Sequence, residues 1–140
     1  MKPAFALLLL IIVGSACSES DSSPTSPDAT PTRTISIAGD LNFGAVPLGQ
    51  AKNAGFTIAN EGNSPLTITG FTGPCASQGV FKFSWLTGTI GPGAAQAVIV
   101  TFSPRVPVNC SGTVSINGDQ TSGGATIPMT AVSVPGPPVQ

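Results

Sequence analysis

From Thr34 onward, apolar residues recur at every second position in short runs, and each run is broken within a few residues by glycine, proline or asparagine. Side chains alternate faces along a strand but return to one face only every three to four residues in a helix. Runs of this period and length therefore bury a face only as β-strands. The first strand is expected to carry Ile35 and Ile37 and, past a break at Gly39-Asp40, Leu41 and Phe43. Ala54, Phe56 and Ile58 follow, then Leu66 and Ile68, then Phe81, Phe83 and Trp85 as one strand. Val98, Val100 and Phe102 are stopped by Pro104, and Val114 with Ile116 and Ile127 with Met129 and Ala131 complete the series. Seven short strands with turn residues between them predict an all-β fold, a seven-stranded immunoglobulin-like β-sandwich.

The segment before these strands has a different character. Met1-Lys2-Pro3 is a short basic start, and residues 4–13 are an unbroken apolar run. About ten residues match the apolar core of a signal peptide, whereas a membrane-spanning helix needs about twenty. Gly14, Ser15 and Ala16 are small and lead into Cys17. The arrangement resembles the bacterial lipobox, with Gly14 where that pattern favours Leu or Val. Residues 1–16 are accordingly read as a lipoprotein signal peptide and Cys17 as the lipidation site, carrying acyl chains such as palmitate; simple cleavage after Ala16 is the alternative. Residues 17–33 are rich in Ser, Pro and Thr and have few apolar side chains. Such a segment cannot offset its ordering entropy by burial, and it is expected to be a disordered tether. The chain is thus expected to be exported and lipid-anchored to a cell envelope, in the outer membrane if the cell is Gram-negative, because Ser18 rather than Asp follows the cysteine.

Composition narrows the chemistry. Charged residues make up 8% of the chain and the net charge is −1, so no basic stripe is available for nucleic acid. The chain has no histidine, which removes the commonest general base and the commonest nitrogen ligand for metals. No serine stands in a Gly-x-Ser-x-Gly elbow, so no enzymatic activity, cofactor or metal is expected. Phe81, Phe83 and Trp85 read as core, with an exposed carbohydrate platform as the alternative.

Five short motifs occur in a fixed order: Phe43-Gly44-Ala45-Val46-Pro47-Leu48-Gly49, Phe56 through Leu66, Ile90-Gly91-Pro92-Gly93, Val98 through Pro104, and Ser111 through Ile116. This order resembles the ASH (abnormal spindle/Hydin) immunoglobulin-like domains and their bacterial choice-of-anchor D relatives, over about residues 41–132. The strand pattern places the domain over residues 34–133, ahead of a Pro-rich tail at 134–140, and the resemblance implies a seven-stranded sandwich with a non-catalytic binding or structural role. It carries no shared active site to transfer.

Within that topology Cys75 follows the third strand and Cys110 precedes the sixth. These strands are antiparallel neighbours, so both sulfurs belong at one end of the sandwich. An exported chain meets oxidants, and a Cys75–Cys110 disulfide is expected; two free thiols or a metal or redox site are the alternatives. The Asn60–Pro65 and Asn117–Gly124 turns belong at the opposite end. There Asn60, Glu61, Asn63, Asn117 and Asp119 form a candidate ligand rim for calcium or carbohydrate, although turn chemistry alone also accounts for these residue types. The sequence therefore supports a membrane-anchored envelope module that binds or scaffolds an unknown envelope protein or surface polymer, or alternatively a calcium- or carbohydrate-binding carrier.

Overall fold

The computed structural model describes residues 29–138. The segment read as a signal peptide, the lipidation candidate Cys17 and most of the tether lie outside the described residues.

The described chain is all-β and immunoglobulin-like. Its strands are β1 (Ile35–Pro47), β2 (Lys52–Asn60), β3 (Leu66–Thr72), β4 (Phe81–Phe83), β5 (Gly88–Ile90), β6 (Ala95–Phe102), β7 (Gly112–Gly118) and β8 (Thr126–Val134). They are ordered β4-β6-β2-β1-β8-β7-β3-β5 in a sheet that curls over so that its two halves face each other. β1 belongs to both halves. Its first part, from Ile35 opposite Asn60 to Asp40 opposite Gly55, runs antiparallel to β2. Its second part, from Leu41 opposite Met129 to Pro47 opposite Val134, runs parallel to β8. The switch falls at the Gly39-Asp40 break. Gly39 has φ 135°, and a β-carbon there would lie 2.7 Å from both Gly55 O and Phe56 Cα. Only glycine permits this crossing.

The period-two residues fill the space between the halves. Leu41, Phe43, Ile58, Leu66, Val98, Val100, Phe102 and Ala131 are fully buried, and Ile127, Met129, Val114 and Ile116 close the core.

The Phe81–Trp85 region departs from the expected single strand. β4 ends at Phe83, the chain crosses over through Trp85, and β5 pairs with β3 on the other half. Eight strands result where seven were expected. The cause is a pairing limit. Phe81, Lys82 and Phe83 pair with Phe102, Thr101 and Val100, and the Ser84 N–H donates to Ile99 O. Gly88, at φ 154°, then passes beneath the Trp85 ring, whose Cζ2 would lie 2.7 Å from a β-carbon at that position. β4 and β5 are consecutive in the chain yet stand at opposite ends of the strand order. The curled sheet thus stays open along a seam between β4 and β3.

Candidate functional site

Three regions carry the polar and reactive groups. The first is the end with the polar turns. Asp119 Oδ1 accepts from the Thr67 N–H at 2.7 Å, and its Oδ2 lies 3.3 Å from Arg33 Nε. Arg33 Nε also donates to Pro65 O at 3.0 Å, and the Arg33 N–H donates to Thr121 Oγ1. Asn63 Oδ1 accepts from the Thr32 N–H at 2.7 Å, and Asn63 Nδ2 donates to Thr30 O. Residues 30–33 are therefore hydrogen-bonded to the turns. Arg33 was not singled out from sequence, although a cation closing an acidic tether just before the first strand was a readable signal.

This geometry corrects the expected rim in two places. Asn60 is 1% exposed. Its Nδ2 donates to Ser64 O and Ile90 O, and its Oδ1 accepts from the Gly62 N–H. All the hydrogen-bonding groups of this amide face inward and are used, so it can offer nothing to a ligand. Asn117 leaves the rim as well: its Nδ2 donates to Thr72 Oγ1 along the outer face of β3 and β7. Glu61 is exposed and makes only a main-chain bond, its N–H donating to Thr34 O. Among the described residues no group of three His, Cys, Asp or Glu side chains is close enough to hold a metal ion. The side chains of Asn63 and Asp119 hold the chain entry to the turns.

The second region is the opposite end. Cys75 and Cys110 are joined in a disulfide with a Cα–Cα distance of 5.8 Å. It ties the loop after β3 to the loop before β7, and Cys110 is fully buried. The topological placement of both cysteines expected from sequence is the one found.

The third region is the open seam, which sequence reasoning missed. A groove of about 440 Å³ opens between Phe71, Pro74, Phe83 and Leu86, and it reaches Val114 and Met129 at its floor. Phe71 stacks on Phe83 at 5.1 Å and meets Trp85 at 6.4 Å and Phe56 at 5.8 Å; the expected aromatic stripe is half-buried, with Phe81 and Phe83 lining the groove and Trp85 packed behind Phe71. A second cleft, about 380 Å³, adjoins it and holds Gln78, Lys82, Ser103 and Arg105. None of the domain's carboxylates, Asp40, Glu61 or Asp119, lines either space. Neither space presents the paired acid and base that hydrolysis or acyl transfer requires.

Comparisons with known proteins agree with this architecture. The family model described as HYDIN/CFA65/VesB-like, Ig-like domain matches residues 34–131. No match is found among curated proteins. Among solved structures, the ASH/PapD-like domain of human CEP192 is similar with a TM-score of 0.59 and 13% identity, over 96% of this chain and 100% of that one. A protein of unknown function from Porphyromonas gingivalis W83 gives 0.55 and 18% identity, over 79% of this chain and 51% of that one. The secreted serine protease VesC from Vibrio cholerae gives 0.51 and 14% identity, over 76% of this chain and 24% of that one. At these identities the likenesses concern the fold.

Proposed function

The chain belongs to the HYDIN/CFA65/VesB-like Ig-like domain family, and from that premise we propose that it is a non-catalytic binding or scaffolding module, presented from a cell envelope by a lipid anchor at Cys17. The observation that carries this reading is the way the chain enters the domain. Thr30, Thr32 and Arg33 are bonded to the polar turns, so the module meets its tether at one end. The disulfide, the seam and the Lys82–Arg105 cleft lie toward the other end, directed away from the anchor. The absence of histidine, and the absence of carboxylates from the two grooves, support a role in binding. VesC is a longer chain in which this fold corresponds to about a quarter, which is how an appended module would look. The partner is read as an envelope protein or surface polymer. The calcium or carbohydrate alternative loses support because Asn60 is sealed inside and Asp119 and Asn63 are engaged by the chain's own groups.

Two measurements test the reading. Mass spectrometry of the protein from a bacterial host should find an acylated Cys17 as the first residue, and Cys17→Ala should abolish acylation. A mature chain that starts elsewhere removes the anchor. Cysteines substituted at Glu61 and at Val106 should then react with a bulky reagent at different rates on intact membranes, faster at position 106. Faster reaction at position 61 contradicts the orientation.

A further inference from the structure

The seam groove and the cationic cleft share Phe81 and Lys82, so an apolar trough and a polar one adjoin along β4. Apart from Lys82, the trough is lined by apolar residues, and its floor is Val114 and Met129, themselves 1% and 3% exposed. The described chain has four cations: Arg33, Lys52, Lys82 and Arg105. Arg33 is held by Pro65 and Asp119, and Lys52 donates to Phe43 O at 2.8 Å. Lys82 and Arg105 have no hydrogen-bond or ion-pair partner among the described residues, and these two line the cleft together. Two of the four cations of the described chain thus stand without any polar partner, Lys82 at the apolar groove itself and Arg105 in the cleft beside it.

We propose that these adjoining grooves bind an anionic amphiphile across the free edge of β4, with an acyl chain in the trough and a carboxylate or phosphate head between Lys82 and Arg105. Each part of the ligand is dictated by a part of the site. The guanidinium fork of Arg105 and the ammonium of Lys82 make short, charge-assisted bonds to an oxyanion, and the Ser103 hydroxyl and Gln78 amide lie in the same cleft. The trough removes apolar surface from water, and its volume falls within the range of about 300–1,000 Å³ usual for small-molecule sites. Methylenes rest on the apolar floor of Val114 and Met129 without leaving a polar group unpaired. The site goes beyond the binding-module reading and does not depend on the anchor.

Trp85 makes the proposal measurable, because it is the chain's single tryptophan and packs on Phe71 in the trough wall. The full chain carrying Cys17→Ser, which has no acyl group of its own there, is titrated with a bromine-labelled fatty acid, its neutral methyl ester and a monoacyl phosphate of equal length. Saturable quenching of Trp85 by the acid is expected, with the ester binding about ten-fold more weakly. Tighter binding of the phosphate than of the acid supports the site and names phospholipid as the source; the reverse order supports it and names free fatty acid. Lys82→Gln with Arg105→Gln should abolish the preference for acid over ester, and Leu86→Asp, at an exposed position, should weaken all three ligands. Equal binding of acid and ester, an unchanged preference in the double variant, or no saturable quenching overturns the proposal. So does an acidic peptide that displaces the acid at concentrations below the acid's own Kd, since it would assign the groove to a polypeptide. These readouts are made in solution, and their failure leaves the acylation and labelling results untouched.

Discussion

Arg33 and Asp119 meet at 3.3 Å, and each is held by a second partner: Arg33 by Pro65 O and Asp119 by the Thr67 N–H. The pair joins the chain entry to the turn after β7 and to the start of β3. The two side chains are 33% and 45% exposed, so the ion pair itself contributes only about 0–1 kcal/mol. The carboxylate bond to the Thr67 main chain contributes more. Asp119→Ala is expected to lower stability by about 1–2 kcal/mol and Arg33→Ala by less. Thermal melts of the two variants check the order; an Arg33→Ala loss exceeding that of Asp119→Ala contradicts it.

The Cys75–Cys110 bridge closes a loop with a sequence separation of 35. Constraining a loop of that size in the unfolded chain corresponds to about 3–4 kcal/mol in the chain-entropy model. Reduction should therefore lower the melting temperature by more than about 10 °C in a domain of this size. The native protein should resist alkylation until it is reduced. Two thiols that react stoichiometrically in the folded, unreduced protein would show that the bridge does not form.

Asn60 is the buried corner of the β2–β3 turn, bonded to Ser64 O, Ile90 O and the Gly62 N–H. Asn60→Ala removes all three bonds and is expected to cost about 2–4 kcal/mol. Asn60→Asp keeps the shape but turns a carboxylate oxygen toward two carbonyls, and it should be no milder at neutral pH. Denaturant unfolding measures both, and a change below about 1 kcal/mol for either would mean that the corner is not held by this amide.

Gly39 and Gly49 separate two costs of adding a methyl group. Both have positive φ, 135° and 81°, but a β-carbon at Gly39 meets the main chain of Gly55 and Phe56 at 2.7 Å, while at Gly49 nothing lies within 4 Å. Gly49→Ala bears only the conformational cost, about 1 kcal/mol. Gly39→Ala should be markedly worse, because β1 can no longer cross between the two halves of the sheet. Similar melting temperatures for the two variants would refute the crossing as the critical constraint.

Much of the fold was legible because it depends on local periodicity. Val98, Val100 and Phe102 alternate in the sequence and are all fully buried, and the Gly39-Asp40 break marks the point where β1 changes sheets. The alternation follows from backbone geometry alone, which is why it can be read without knowing any partner. The cysteine pair was legible at one remove, since strand order puts residues 75 and 110 at one end of β3 and β7.

Other features depend on residues distant in sequence and left no local trace. An asparagine in a turn reads as exposed; Asn60 is buried because Ile90 and Ser64 bring their carbonyls to it. Phe81, Phe83 and Trp85 carry the period of one strand, but β4 and β5 pair with β6 and β3 on opposite halves, and only that competition between partners divides the segment. The seam groove is the direct result, as is the place of Lys82 beside it. Sequence by itself determined the strands, their inward faces and the place of the disulfide, because these follow from chain geometry and side-chain period. Tertiary structure alone decided which polar groups are consumed internally and where the sheet fails to close, because hydrogen-bond satisfaction and packing are settled between segments that no local pattern connects.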